Sequence, residues 1–169
     1  MNKSTEALKG KSVVLKVFFW DTSALIKLIL DEGDSSKKAR FNYSPLNINR
    51  TTDFAIYEVL NVFKKKWEKK KLNNEQYNKS CRRIISFWAK KIKISRTSLM
   101  QRDDFQGVLT LRRKYKSLDF SDLLQLYAIK EEYSYFVGFS SPKLITADNE
   151  LARVASKESI RVLNLNQIL

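Results

Sequence analysis

Short runs of β-branched and aromatic residues alternate along this chain with stretches of helical periodicity, and nothing else in it constrains the fold as much. Residues 13–20 (VVLKVFFW) suit a buried strand and end at Asp21. Residues 22–30 follow with helical spacing, Leu25, Leu28 and Ile29 sharing one face, and Asp31, Glu32 and Gly33 closing the helix. Residues 46–51 form a second, weaker strand. Thr52 or Asp53 then caps a helix that turns Ile56, Val59, Leu60 and Phe63 inward before the run FKKKWEKKK. Residues 73–91 make an amphipathic helix with Ile84, Ile85, Phe87 and Trp88 as its apolar side, and residues 92–95 a strand. Residues 98–115 are helical, with Asp103 and Asp104 early and Arg112, Arg113 and Lys114 late, as the helix dipole favours. A helix over 119–132, a strand over 143–146, a helix over 149–156 and a last strand over 160–163 complete the series.

Strands alternating with helices predict an α/β fold: a mainly parallel central sheet covered on both faces, hence a three-layer α/β/α sandwich. Residues 1–11 are polar and aperiodic and read as a flexible tail; residues 12–169 read as one domain, without repeats or a Pro/Ser-rich linker. Ligands of such sheets bind off the carboxyl ends of the strands. Asp21 and Asp148 each directly follow a predicted strand, so the architecture sets them on one rim.

Four acids border apolar runs: Asp21 in FFWDTSALIKL, Glu58 in FAIYEVLNVF, Asp122 in LDFSDLLQLYA and Asp148 in LITADNELA. A carboxylate in that position is costly to desolvate unless a cation or a donor meets it. Gathered by the fold into one pocket, the four would suit Mg²⁺ or Mn²⁺, hard ions that take oxygen ligands and keep several waters. Each also has a structural reading as a helix cap or exposed helical acid. Asp119 and Asp122 lie three residues apart on one helical face, so Asp119 suits the cap. Ser23 and Thr146 carry hydroxyls next to these acids and are candidates to orient them, and Thr22 has the same capacity.

Composition removes most other chemistry. The chain has no histidine and one cysteine, which excludes Ser-His-Asp and Cys-His nucleophile systems, histidine- or thiolate-bound zinc and an internal disulfide. Four glycines provide neither GxGxxG nor GxxxxGK[ST]. What remains for hydrolysis is a metal held by oxygen atoms, which polarises a phosphodiester and activates water for in-line attack. A formal charge of +14 points to a polyanionic partner, most simply nucleic acid. Lys64, Lys65 and Lys69, within the dense lysine run after Glu58, are the candidate RNA-backbone contacts. Trp67 and Trp88 read as core or dimer-interface aromatics. Lys16, Asp21 and Lys27 interrupt the apolar stretch near the start, each at about 2.5–3.5 kcal/mol in a bilayer centre, so a cytoplasmic protein with no membrane partner is expected.

The motifs WDTSALIKL, YEVLNVF, DFSDLLQLYAIK and LITADNELARVA, in that order over residues 17–165, resemble a PIN domain, in particular the VapC-type ribonuclease toxins. The resemblance matches Asp21 with Thr22 and Ser23 to the family aspartate and its hydroxyl pair, and Glu58 to the glutamate of the second helix. It matches Asp122, with Ala128 six positions on, to the third acid, leaving Asp119 as cap or supporting acid, and Thr146 with Asp148 to the late Thr-x-Asp. It implies a PIN-like fold, a Mg²⁺- or Mn²⁺-dependent endoribonuclease leaving 5′-phosphate and 3′-hydroxyl ends, a homodimer and a small antitoxin partner. The rival expectation is a non-catalytic PIN-fold module that binds RNA or protein. A haloacid-dehalogenase-type phosphotransferase is disfavoured because Ser23 stands where a second aspartate is required.

Overall fold

The structure is a computed structural model and describes residues 16–95, 101–137 and 142–167. The expected tail over residues 1–11 lies outside them. The order is β1 (Val17–Trp20), α1 (Thr22–Ile29), α2 (Asp34–Asn42), β2 (Ile48–Thr51), α3 (Asp53–Glu68), α4 (Asn74–Lys91), β3 (Lys93–Ile94), α5 (Arg102–Lys114), α6 (Phe120–Val137), β4 (Lys143–Thr146), α7 (Asn149–Lys157) and β5 (Val162–Asn164). The five strands form one sheet in the order β3-β2-β1-β4-β5, all parallel.

Strand β1 sits at the centre because all four of its side chains are buried, which only a strand covered on both faces tolerates. Its alternation divides the core. Phe18 and Trp20 pack with Leu25, Ile56, Val59, Phe63 and Ile84 beneath α1 to α4. Val17 and Phe19 pack with Val108, Leu111, Leu123, Leu126 and Leu151 beneath α5 to α7. The result is a PIN-like three-layer sandwich. Register pairs Phe18 with Asn49 on one side and with Lys143 on the other. The chain runs outward from β1 through β2 to β3, then returns to the far side of β1 for β4. The reversal of strand order therefore falls between β1 and β4, and ligands of such sheets bind at that point, beyond the carboxyl ends.

Local signals account for most boundaries. Thr52 caps α3 by accepting from the Ala55 amide at 3.0 Å, and Asn73 with Gln76 forms a reciprocal capping box on α4. Gly33, at φ 80°, supplies the left-handed residue ahead of α2. Helix α2 is absent from the sequence expectation because DSSKKARFN buries only Ser36 and Ala39; its place is set by packing on α1 rather than by an apolar stripe. Helix α6 runs five residues past the expected end at Glu132, to Val137. On α4 only Ile84 of the four expected inward residues is fully buried, while Ile85 and Trp88 are 47% and 42% exposed. Leu60 is half-buried. Trp67 lies on the surface at the α3–α4 turn, stacked on Tyr77 at 5.2 Å and donating to Asn74. Neither tryptophan is a core residue. Among the described residues no helix is long and apolar enough to cross a membrane.

Candidate active site

The rim at the strand-order reversal collects acids because each is placed by a different element. Asp21 ends β1: its amide bonds to the Ile145 carbonyl of β4 at 3.2 Å, and its side chain caps α1 through the Ala24 amide at 2.7 Å. The residue is 3% exposed. Its carboxylate also accepts from the Ser23 hydroxyl, 3.0 Å from each oxygen, and from the Thr146 hydroxyl at 2.7 Å. Thr146 in turn accepts from the Asp148 amide at 2.9 Å, and Ser23 accepts from the Ala147 amide at 2.7 Å. The carboxyl ends of β1 and β4 are thus tied together through Asp21, Ser23 and Thr146. Asp148 caps α7 by accepting from Leu151 at 2.8 Å. Its capping role and its place at the rim coexist.

Glu58 reaches the same rim from α3. Its Oε2 accepts from Thr22 Oγ1 at 2.6 Å and from Gln125 Nε2 at 3.4 Å. Gln125 is 3% exposed and closes the network from α6, donating to Thr22 Oγ1 at 3.1 Å and accepting from the Thr22 amide at 3.2 Å. Sequence reasoning passed over Gln125. The available signal was a lone amide between Leu124 and Leu126, three residues after Asp122 and so on its helical face.

Asp119 precedes α6 and accepts from the Asp122 amide at 2.9 Å and the Ser121 hydroxyl at 2.8 Å, as a cap does. Partial burial opposes its ionisation, yet these donors hold its carboxyl below the usual range. Asp122 behaves oppositely. Burial, then the charges of Asp119, Asp148, Asp21 and Glu58, push its pKa up to about 7. All four other acids therefore lie within electrostatic reach of one carboxyl. Asp21 is also raised to about 7, chiefly by burial and against its three donors, with Asp148 adding to the rise.

The donor set suits a hard divalent cation: carboxylates only, two of them held near neutral pH by burial and mutual repulsion that a cation would relieve. Among the described residues no three acidic side chains stand close enough to cage an ion.

The lysines fall elsewhere. Lys65 and Lys69 are exposed and lie seven and eleven residues beyond Glu58, close to its helical face and about 10 and 16 Å along the axis. Lys64 points to another face and pairs with Glu68 at 3.7 Å. Lys66 is taken up by Glu32, which also binds Lys27.

No family model matches the chain, and no curated protein matches it either. Among solved structures it is similar in fold to a chain of VapBC-1 from nontypeable Haemophilus influenzae, at 12% identity and a TM-score of 0.57, over 89% of this chain and 99% of that one. The likeness is one of fold.

Proposed function

We propose that this protein is a VapC-like, Mg²⁺- or Mn²⁺-dependent endoribonuclease. The observation that carries the reading is the convergence of Asp21, Glu58, Asp122 and Asp148 at the reversal of strand order, with Asp21 and Asp122 both raised to about 7. A +14 protein that concentrates carboxylates at one crevice is arranged to bring a phosphodiester to a cation there. The fold neighbour comes from a VapBC complex, which supports a toxin role, an antitoxin partner and, by the family resemblance, a homodimer in the cytoplasm.

Asp21 and Asp122 would hold the ion most directly, with Glu58 and Asp148 acting on it at the edge or through water. When bound, a divalent ion neutralises the scissile phosphate and activates water for in-line attack. The chain's own residues do the positioning. Ser23 and Thr146 fix the Asp21 carboxylate from two sides, and Thr22 with Gln125 fixes Glu58. Asp122, beside the ionised Asp119, is able to exchange a proton near neutral pH. Lys65 and Lys69 continue the Glu58 face and suit the phosphates of the strand leaving the crevice.

The test is cleavage of a mixed RNA pool by purified protein with Mg²⁺ or Mn²⁺, beside EDTA and the Asp21→Asn and Asp122→Asn variants. Metal-dependent cleavage lost in both variants supports the reading. The spacing of the acids, too wide for a three-carboxylate cage, favours a second reading as a non-catalytic RNA-binding module. RNA bound but never cut with either metal would select it.

A further inference from the structure

A groove of about 760 Å³ lies between the last turn of α1, the end of α2 and the outer face of α4. Its walls carry Arg40, Lys79, Arg82, Arg83 and Lys91 against a single acid, Glu75. It is remote from the acidic rim. Helix α1 starts at that rim and rises about 9–10 Å before reaching Leu28 and Ile29, which line the groove. Arg40 and Tyr43 lie just before β2, and Lys91 just before β3. Parallel strands enter at the rim opposite their carboxyl ends, so the groove opens on that opposite rim.

Two arginines are anchored there by α1. Arg83 donates to the Ile29 carbonyl at 2.9 Å and Arg40 to the Leu30 carbonyl at 3.2 Å. Those bonds orient the guanidinium groups without neutralising them; among the described residues the one ion pair of Arg40 is an exposed contact with Asp31 at 3.6 Å. Lys79, Arg82 and Lys91 are exposed. Tyr43 also lines the groove, and among the described residues its buried hydroxyl has no hydrogen-bond partner.

We infer that this groove is a second RNA contact, a phosphate-binding exosite that holds the sugar–phosphate backbone of a strand whose other part lies at the acidic rim. The inference rests on the ribonuclease reading for the identity of the polyanion. Charge decides the class of ligand: five cations and one acid select a polyanion. Tyr43 and Phe87 also line the groove, their ring centroids 4.9 Å apart; aromatic surface beside cations suits the bases of a single strand, as guanidinium forks suit its phosphate oxygens.

The test measures binding separately from cleavage. Full-length protein in EDTA is titrated into a fluorescein-labelled single-stranded RNA of about 20 nucleotides at several salt concentrations, beside a Lys79→Glu/Arg82→Glu/Lys91→Glu variant. These side chains are exposed, so the variant should keep its far-UV spectrum and melting temperature. Each phosphate contact on a single strand contributes about 0.7 to the salt slope, so losing three lowers it by about 2, with affinity down at least about tenfold. With metal present, cleavage of a tetranucleotide stays at the wild-type rate while KM for the long RNA rises. Unchanged affinity and slope would overturn the exosite. Groove-dependent binding by a protein that never cuts RNA would instead remove the nuclease reading and leave the exosite standing.

Discussion

Replacing Asp21 by asparagine should stabilise the metal-free protein at alkaline pH while abolishing its proposed activity. Asp21 is 3% exposed, and burial raises its pKa from 3.8 to about 7. A carboxyl whose folded pKa exceeds its unfolded value contributes its full stability below the unfolded pKa, and that contribution is lost as pH rises through the folded one. The window here runs from about pH 4 to about pH 7 or 8. Between pH 5 and pH 8 the wild-type chain should lose on the order of 2–3 kcal/mol through this residue. Asparagine keeps an oxygen for the Ala24 amide and never ionises, so Asp21→Asn should be spared that loss. For a chain of this size the difference corresponds to roughly 4–12 °C in melting temperature. The assay is thermal unfolding of both proteins in EDTA at pH 5 and pH 8. A gap between variant and wild type that does not widen from pH 5 to pH 8 would refute the claim that a buried, raised carboxyl sits at the end of β1. Added Mg²⁺ or Mn²⁺ should raise the wild-type melting temperature at pH 8 and leave the variant nearly unmoved.

The polar residues behind the acids give a second expectation. Gln125→Leu should cost roughly 10–100-fold in cleavage or metal affinity, as loss of an orienting partner typically does, measured as the Mn²⁺ dependence of rate. The Arg50–Glu132 pair concerns stability alone. Arg50 Nη2 lies 2.9 Å from Glu132 Oε1, a second contact joins Nε to Oε2, and the two side chains are only 12% and 14% exposed. Arg50→Met should cost about 3–5 kcal/mol by removing the cation that faces the half-buried Glu132 carboxylate, although Ser95 Oγ still donates to it at 2.7 Å, and the double variant Arg50→Met/Glu132→Leu should recover most of that in urea unfolding.

Much of the fold was legible from local pattern, and particular residues show why. VFFW read as a buried strand, and the caps Thr52 and Asp119 announced helix starts, because the chemistry of a strand face or a cap is settled within a few residues. Helix α2 was not legible, since a helix that buries two small residues has no apolar period to read. Ile85 and Trp88 were misplaced because periodicity gives the phase of an apolar stripe but not how much of it a neighbour covers. Gln125 escaped notice for a related reason: its partners, Thr22 and Glu58, are 103 and 67 residues away.

By itself the sequence determined the chemistry available to this protein: no histidine, carboxylates at the ends of buried runs, a large positive charge, and strands alternating with helices. Only the tertiary structure decided which residues meet. The order β3-β2-β1-β4-β5 places the reversal between β1 and β4, and that choice brings Asp21 to Thr146 across 125 residues of chain. It also sends Arg40, Arg83 and Lys91 to the opposite rim and leaves Glu58 beside Thr22. Element type follows from local sterics and apolar spacing, whereas the meeting of distant side chains follows from how the sheet buries its faces, a property of the whole chain.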